Sequence, residues 1–401
     1  MSLLTDGHTL SMLVIINGRV IGSRAILEQH CVVIHGSTIQ QVAPTAQVLW
    51  SDDATVIDAH EDFVAPGFVD LHVHGALGHD TMEASVEALA QIAKFHASGG
   101  TTAMTPTTVT DSTEKIGAAL DSIAQAMGHD FGGAQILGAH LEGPYISRDK
   151  CGAQPARFIR NPEPSEYSAW LNREGLVTQM TLAPELPGAL ELIDALLEHE
   201  IIPSGGHTAA DYEQARAAIE RGLCQATHLF NCMSATTKTG VFRAPGALET
   251  FLADDRVLVE LIADGKHVHP ELMKLAVHAK GVDKVCLVTD ATAGAGLAEG
   301  TEFRIGETRA VVRDGVGLLA DGSAIAGSVS TMMMTVKSMV EMAGVPLVDA
   351  VRMASLSPAR ALSLSGRKGS LEPGKDADVV IFSSAFEVKK TLVGGRIEFE
   401  R

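Results

Sequence analysis

The sequence predicts an α/β fold: a (β/α)8 TIM-like barrel together with a small β-sandwich domain built from both chain termini. Apolar strands alternate with amphipathic helices through the middle of the 401 residues. About eight such units over about 300 residues suit a closed parallel barrel better than an open sheet. Both ends of the chain instead carry short strands separated by glycine turns, and neither end is long enough to bury a core alone.

The terminal segments contain turn pairs typical of β-hairpins. Near the N-terminus we predict a first strand from Ser11 and hairpins turning at Asn17-Gly18 and Gly36-Ser37. Near the C-terminus, residues 378–382 form a predicted buried strand, and a further hairpin turns at Gly394-Gly395. We therefore assign residues 9–63 and 365–401 to the small β-domain and residues 64–364 to the barrel.

Strand and helix signals follow one another through the central segment. The predicted barrel strands are residues 67–74, 101–106, 136–142, 177–184, 201–207, 226–231, 257–264 and 284–290. The predicted helices between them are residues 85–97, 112–127, 189–199, 212–221 and 271–279. Residues 143–166 are rich in proline and turn residues, and we expect this long connection to cover a substrate site.

Composition limits the classes of function. The formal charge is −18, so the field of the protein repels nucleic acid and anionic membrane surfaces, and we expect neither as a partner. No apolar run approaches the roughly 20 residues that a bilayer requires, and no signal-peptide pattern precedes the first strand. The five cysteines are scattered and never spaced as CxxC, which is typical of a reducing compartment, and we expect a cytoplasmic location.

Polar side chains gather at the carboxyl ends of the predicted barrel strands, where the catalytic groups of such a barrel lie. The two-residue period of a strand places Asp70, His72 and His74 on one face. Other strand ends contribute Glu142, His207, His228 and Asp290. Any one of these could be a hydrogen-bonded core residue, but burying so many polar groups without partners would cost several kcal/mol. Because imidazole and carboxylate are ligands of divalent transition metals, the cluster predicts a metal site.

Several segments carry a family resemblance, in chain order over nearly the whole sequence. PGFVDLHVHG at 66–75 resembles the opening signature of the amidohydrolase superfamily, and GKDAD at 374–378 resembles its closing strand. More narrowly, the chain resembles the N-acetylglucosamine-6-phosphate deacetylase family in HLEGP (140–144), LAPE (182–185), GHT (206–208), THLFNCM (227–233), IADGKHV (262–268) and VTDA (288–291).

This resemblance implies metal-dependent hydrolysis of the acetamide of N-acetyl-D-glucosamine 6-phosphate to glucosamine 6-phosphate and acetate, in amino-sugar catabolism. It implies that Glu142, His207 and His228 bind the principal divalent ion. His72 and His74 would support a second ion, so that each chain holds one or two. We expect zinc, with iron or manganese as alternatives, and a homodimer or higher homo-oligomer.

Amide hydrolysis also requires a proton carrier. We predict that Asp290 accepts the proton of the attacking water and passes it to the leaving nitrogen; the alternative is that it caps the next helix. For the phosphosugar, the resemblance points to Asn231, Cys232, Arg243 and His267. Arg243 would contact phosphate, across a subunit interface, or would instead pair with a surface carboxylate.

One residue departs from the family pattern. Gln154 stands where the family usually has a histidine, and glutamine donates a hydrogen bond but never carries positive charge. We therefore expect Gln154 to contact the substrate as a neutral donor and to change either the polarisation of the acetyl group or the preferred sugar. Two alternatives stay open: a deacetylase of N-acetylgalactosamine 6-phosphate or another N-acyl amino sugar, and a non-catalytic sugar-phosphate-binding barrel protein.

Overall fold

The computed structural model describes residues 12–401. The predicted domain start at residue 9 and strand start at Ser11 lie outside this range. The N-terminal strands are β1 Met12–Ile21, β2 Ile26–His35, β3 Thr38–Pro44, β4 Thr55–Asp58 and β5 Phe63–Pro66.

The central segment follows as alternating strands and helices. Its first part contains β6 Phe68–Val73, β7 Gly75–Ala76, β8 His79–Asp80, α1 Val86–Ser98, β9 Thr101–Pro106, α2 Thr113–Ala126, β10 Gln135–Ile136, β11 Ala139–Glu142, α3 Pro164–Leu171, β12 Val177–Leu182 and α4 Ala189–Glu198. Its second part contains β13 Ile202–Gly205, α5 Tyr212–Arg221, β14 Gln225–Ala226, β15 Thr237–Thr239, β16 Phe242–Ala244, α6 Ala247–Ala253, β17 Leu258–Ile262, α7 Pro270–Lys280 and β18 Val285–Val288. The remaining elements are β19 Glu302–Ile305, β20 Thr308–Arg313, β21 Val316–Leu319, β22 Ile325–Ser328, α8 Met332–Glu341, α9 Leu347–Ala354, α10 Leu356–Ala361, β23 Val379–Phe382, β24 Val388–Val393 and β25 Arg396–Glu400.

Strands from both chain termini form one eight-stranded sheet. Its order is β25-β24-β23-β5-β1-β2-β3, with β4 beside β1. Strand β23 pairs antiparallel with β5, so backbone hydrogen bonds join the two ends of the chain. Ile15, Val64 and Val379 belong to one buried apolar cluster. The expectation of a β-rich unit assembled from both termini is confirmed.

The predicted hairpin at Asn17-Gly18 is wrong, because β1 passes through both residues as one strand. Asn17 has a left-handed backbone (φ 55), and the register with β2 shifts between Ile15 and Gly18, so the pair forms a bulge. A Cβ on Gly18 would lie 2.4 Å from Val64 Cγ2. Glycine therefore permits a close approach here rather than a reversal of the chain.

Eight parallel strand positions form the barrel, which confirms the predicted fold class. Strands β10, β9 and β6 form one sheet, and β11, β12, β13, β14, β17 and β18 form another. The first and last positions meet where Val73 bridges Ala291. The third predicted strand is divided into β10 and β11 because Gly138 between them has φ 143, a conformation that favours glycine.

The main hydrophobic core lies between barrel strands and the helices that surround them. Leu89 and Ile92 of α1 and Met332 and Met339 of α8 belong to it. After β18, the chain forms an antiparallel sheet, β19–β22, that lies outside the predicted elements. Of the helices in residues 12–401, none is both long and apolar enough to cross a bilayer.

Candidate metal centre and cavity

Glu142, the last residue of β11, lies at the centre of a cluster of imidazoles. Its Oε1 is 3.0 Å from His228 Nε2 and 3.2 Å from His207 Nε2. His72 Nε2 is 3.5 Å from the same oxygen, and His74 Nε2 is 3.3 Å from Oε2. All five side chains are buried. The structure therefore brings together five residues from three predicted strand ends and the loop after β14.

These distances fit a divalent metal. Ligand bonds of about 2.0–2.1 Å in tetrahedral geometry place neighbouring donor atoms about 3.3 Å apart. The Nε2 atoms of His207 and His228 are 3.1 Å apart, and those of His72 and His74 are 3.2 Å apart. Two donor sets result, each containing Glu142 and one of these histidine pairs. A single carboxylate thus serves two adjacent positions.

Charges in the cluster are coupled strongly enough to overcome burial. Burial disfavours the charged form of His74, but hydrogen bonds and charges from Asp290 and Glu142 raise its pKa to about 9. Burial likewise opposes ionisation of Glu142, yet the charge of His72 and hydrogen bonds from His207 and His228 hold its pKa well below the usual value. The cluster therefore attracts positive charge, as a cation site must.

Hydrogen bonds outside the cluster orient the imidazoles. His72 Nδ1 lies 3.0 Å from Glu260 Oε2. The Nδ1 atoms of His74 and His207 lie 3.2 and 2.8 Å from backbone carbonyl oxygens. A carbonyl or carboxylate at Nδ1 favours the tautomer with its proton on that nitrogen, which leaves Nε2 free to bind a metal.

Asp290 follows β18 and faces the same centre. Its Oδ1 lies 3.3 Å from His74 Nε2 and 3.4 Å from His72 Nε2. Burial raises its pKa, but the charges of His72 and His74 and a hydrogen bond from His74 outweigh burial and lower it to about 2. The alternative role as a helix cap is wrong, because the chain after Asp290 leads into the β19–β22 sheet.

A cavity of about 260 Å³ opens above this centre. The predicted site residues that line it are His74, Glu142, Gln154, His207, His228, Asn231, Cys232, His267 and Asp290. The β19–β22 sheet adds Ile305, Ile325 and Gly327, so this sheet forms part of the wall. The volume lies just below the range of small-molecule sites, which begins at about 300 Å³.

The predicted sixth strand ends earlier than expected, and the difference shapes the cavity. Strand β14 stops at Ala226, and His228 (φ 31), Phe230 (φ 78) and Cys232 (φ 51) adopt left-handed conformations. This loop turns His228, Asn231 and Cys232 toward the cavity. Backbone strain of this kind is concentrated at functional sites.

His267 supplies an imidazole to the cavity, and Asp264 holds it in place. Its Nδ1 lies 2.6 Å from Asp264 Oδ2, and the other oxygen of Asp264 accepts the backbone N–H groups of Lys266 and His267. Burial opposes protonation of His267, but Asp264 outweighs it and raises the pKa of the imidazole. The opposite ring nitrogen has no hydrogen-bond partner among residues 12–401, so it can donate to an anion when the imidazole is protonated.

Gln154 contacts Glu142, the central residue of the imidazole cluster, directly. Its Nε2 donates to Glu142 Oε2 at 2.6 Å, and its Oε1 accepts from the backbone N–H of Thr110 at 2.8 Å. Gln154 comes from the long connection after β11, which contains two 3-10 turns and reaches α3 at Pro164. The predicted loop therefore does reach over the site.

Arg243 lies outside the cavity. It belongs to the β15–β16 hairpin, where its side chain is exposed. Its neighbours Val241 and Phe242 are 86% and 76% exposed. Of the predicted site residues, Arg243 is therefore placed on a projecting surface rather than beside the metal cluster.

Two buried carboxylates have structural roles that the predictions omit. Glu260, in the middle of β17, accepts hydrogen bonds from His72 and Gln225. Asp70 accepts from Thr289 Oγ1 at 2.5 Å and joins the first and last barrel strands. A carboxylate within an apolar strand run is a signal that could have identified Glu260.

Comparisons with known proteins agree with this geometry. Residues 63–397 match the amidohydrolase family. The N-acetylglucosamine-6-phosphate deacetylase of Vibrio furnissii is 36% identical over 384 residues, which cover 92% of this chain and 94% of that protein. The N-acetylgalactosamine-6-phosphate deacetylase of Escherichia coli O157:H7 is 35% identical over 381 residues, covering 94% and 97%.

Solved structures show the same similarity. The N-acetylglucosamine-6-phosphate deacetylase from Pasteurella multocida superposes with a TM-score of 0.90 at 32% identity, covering 96% of this chain and 99% of that one. A variant of the Mycobacterium smegmatis N-acetyl-D-glucosamine-6-phosphate deacetylase, in complex with N-acetyl-D-glucosamine-6-phosphate, has a TM-score of 0.88 at 30% identity and covers 97% and 99%.

Proposed function

Because the chain belongs to the N-acetylglucosamine-6-phosphate deacetylase family of the amidohydrolase superfamily, we propose that it hydrolyses N-acetyl-D-glucosamine 6-phosphate to glucosamine 6-phosphate and acetate. The observation that carries this proposal is the convergence of four imidazoles on Glu142, with Asp290 beside two of them and facing one cavity. The reaction belongs to amino-sugar catabolism. We place it in the cytoplasm, because a charged sugar phosphate does not cross a bilayer unaided.

The metal ligands in this proposal are residues of the central cluster. Glu142, His207 and His228 hold the principal ion, and His72 and His74 with Glu142 hold a second. When bound, a divalent metal supplies Lewis acidity to the amide carbonyl and makes water more acidic. We propose zinc, because imidazole and carboxylate ligands suit it, and iron or manganese could use the same ligand types.

Asp290 is the proposed proton carrier. Its carboxylate faces the cavity between the strand ends, and the backbone fixes it on both sides: its N–H donates to His72 O at 2.9 Å, and its carbonyl accepts from Ser328 N at 2.8 Å. Asp290 takes a proton from the attacking water and gives it to the amide nitrogen, which can then leave as an amine. Proton transfer of this kind contributes about a hundred- to ten-thousandfold in rate.

The sugar phosphate is held by groups farther up the cavity wall. Asn231, the backbone near Cys232 and His267 line that wall, and the imidazole of His267 would bind the phosphate in its protonated form. Gln154 retains a second amide N–H for the substrate, because only one is used on Glu142. The overall charge of −18 repels a phosphate, so such local donors are needed to hold it.

Arg243 would reach the phosphate from a second copy of the chain, in a homodimer or higher homo-oligomer. Two observations support this assignment: Arg243 lies outside its own cavity, and the hairpin that carries it exposes Val241 and Phe242. Exposed apolar side chains around a cation are typical of a surface that is covered by a partner. A guanidinium binds two phosphate oxygens at once.

N-acetyl-D-galactosamine 6-phosphate is the second candidate substrate. The Escherichia coli N-acetylgalactosamine-6-phosphate deacetylase is 35% identical to this chain, one percentage point below the 36% of the Vibrio furnissii N-acetylglucosamine-6-phosphate deacetylase. Identity at this level does not distinguish the two epimers, which differ by the orientation of one hydroxyl.

The test is an acetate-release assay with zinc-, iron- and manganese-loaded protein. The substrates are N-acetylglucosamine and N-acetylgalactosamine, each with and without 6-phosphate. We expect the highest kcat/KM for N-acetylglucosamine 6-phosphate, and a loss of at least tenfold without the phosphate. A preference for the galacto epimer would select the second candidate. Binding of sugar phosphates without acetate release under every metal condition would favour a non-catalytic binding protein instead.

A further inference from the structure

The two oxygens of the Glu142 carboxylate have different neighbours. Oε1 faces His207 and His228 Nε2 at 3.2 and 3.0 Å. Oε2 faces His74 Nε2 at 3.3 Å and also accepts a hydrogen bond from Gln154 Nε2 at 2.6 Å. A short hydrogen bond to a carboxylate is charge-assisted and stronger than one between neutral groups.

The orientation of the Gln154 amide follows from its partners. The backbone N–H of Thr110 requires an acceptor, and Gln154 Oε1 lies 2.8 Å from it. Reversing the amide would place an N–H against that N–H and an oxygen against the carboxylate of Glu142. Only one orientation satisfies both contacts, so Gln154 is a donor to Glu142.

The loop that carries Gln154 is itself held in place. Gln154 N donates to Cys151 O at 2.9 Å, and Thr308 Oγ1 of β20 donates to Ala153 O at 3.4 Å. Gln154 is half-buried and bridges this loop to the one after β9, where Thr110 lies. The amide therefore holds a fixed position against Oε2.

A hydrogen bond donated to a carboxylate oxygen occupies part of its lone-pair capacity and lowers its ability to bind a cation. Oε2 accepts such a hydrogen bond from Gln154, whereas Oε1 has no amide donor among its contacts in residues 12–401. A half-turn of the carboxylate exchanges two equivalent oxygens and restores the same contacts, so whichever oxygen faces His74 also accepts from Gln154.

We propose that Gln154 is a positioning residue that makes the two metal positions unequal: it restrains Glu142 Oε2 and so leaves the His207/His228 position with the higher affinity. This inference rests on the part of the proposed function that assigns two metal positions around Glu142. It does not depend on which substrate is hydrolysed. It assigns Gln154 a role toward the metal ligands in addition to the substrate contact proposed above.

The experiment titrates metal-free protein with Zn²⁺ in the presence of a competing chromophoric chelator, and it measures two dissociation constants per chain. In the unaltered chain we expect the two constants to differ by tenfold or more. Gln154→Leu, which has similar size and no donor, should decrease their ratio by about tenfold, because Oε2 is released from a charge-assisted hydrogen bond and becomes free to bind the second ion. Gln154→Asn, whose amide is too short to reach both partners, should do the same.

The matched control is Thr308→Val. It removes the neighbouring hydrogen bond to the same loop, at Ala153, without touching Glu142. General loosening of the site would weaken the binding of both ions to the same extent, whereas the proposal requires a change in the ratio of the two dissociation constants. Thr308→Val should leave that ratio unaltered. The tight ion should persist in His74→Ala and disappear in His228→Ala.

Three results would overturn the inference: equal affinities in the unaltered chain, an unchanged ratio in both Gln154 variants, or loss of the tight ion in His74→Ala. If the unaltered chain binds one ion only, Gln154→Leu must bring the second into the measurable range, and failure to do so also overturns it. Acetate release plays no part in this measurement, so the inference can fail while the proposed function stands, and the reverse.

Discussion

Asp290 and Glu142 are both buried carboxylates that line one cavity. Their different neighbours favour different roles, a proton carrier for Asp290 and a metal ligand for Glu142. Glu142 lies among four imidazoles, whereas Asp290 Oδ1 faces only His72 and His74, and the rest of its carboxylate borders the cavity. Asparagine has the same shape as aspartate but cannot accept and release a proton in this way.

We predict that Asp290→Asn lowers kcat by about a hundred- to ten-thousandfold, with a much smaller change in KM, because general acid–base catalysis is lost while the binding groups remain. Steady-state acetate release measures both constants. The control is Asp314→Asn, the same exchange on an exposed turn, which should leave both constants unaltered. A kcat within a few fold of normal would remove Asp290 from the mechanism.

Glu260 acts through the histidine that it orients. It accepts from His72 Nδ1 at 3.0 Å and from Gln225 Nε2 at 2.7 Å. We predict that Glu260→Gln weakens binding of the second ion by about 10- to 100-fold, because the amide no longer holds the His72 tautomer as the carboxylate does. Chelator competition with Zn²⁺ measures the change. Glu302→Gln, on an exposed strand position, is the control, and equal affinities in the two variants would contradict the role of Glu260.

At the residue scale, the clustering of these side chains could be predicted because a strand's two-residue period and its carboxyl end are both visible in the sequence. His72, His74, Glu142 and His207 follow from that pattern alone. His228 follows from the predicted sixth strand in the same way, but the left-handed backbone that turns it inward does not. The contact of Gln154 with Glu142 depends on how two loops meet, and no local pattern contains that information.

At the element scale, glycines decide where strands bend and end. A Cβ on Gly138 would lie 2.7 Å from Leu176 O, and its φ of 143 is strained for any other residue. We predict that Gly138→Ala lowers the free energy of unfolding by about 1–3 kcal/mol. Gly117 in α2 is the matched control, because an added Cβ meets nothing within 4 Å.

Gly117→Ala should raise the free energy of unfolding by about 0.5–1 kcal/mol through helix propensity. Urea denaturation followed by circular dichroism measures both variants. Equal stability changes at the two positions would show that the break between β10 and β11 does not depend on Gly138.

The β15–β16 hairpin tests the proposed assembly. We predict that Arg243→Ala raises KM for the phosphorylated substrate by tenfold or more and leaves kcat/KM for the unphosphorylated sugar unaltered, because only the phosphate contact is lost. Arg243→Lys should give a KM for the phosphorylated substrate between those of the unaltered chain and Arg243→Ala, since an ammonium lacks the two-pronged donor geometry of a guanidinium. Arg216→Ala on the surface of α5 is the control for loss of charge. Equal losses with and without the phosphate would refute the assignment.

Elements were predictable where local signals and tertiary contacts agree. The turns at Gly36-Ser37 and Gly394-Gly395 join adjacent antiparallel strands as expected. Asn17-Gly18 carries an equally strong local signal, but pairing of β1 with β2 and the approach of β5 convert it into a bulge. Tertiary pairing overrode turn propensity at that position.

At the scale of the whole molecule, the barrel and the joining of both termini were predictable because each follows from a pattern repeated along the chain. The β19–β22 sheet lies between β18 and α8 and interrupts the alternation of strands and helices. Because this sheet occurs once, no repeated sequence pattern predicts it. Its turns at Asp314-Gly315 and Asp321-Gly322 are hairpin signals that mark the insertion afterwards. Through Ile305 and Ile325 this insertion forms part of the cavity wall.

The proposed function requires that residues from distant strand ends bind the same metal centre. Anomalous diffraction at the zinc absorption edge, on crystals grown with Zn²⁺, tests it most directly. We predict that the strongest peak lies in contact with Glu142, His207 and His228. A map with no peak among these residues, or with its strongest peak elsewhere in the chain, would contradict the proposed metal centre and the hydrolysis assigned to it.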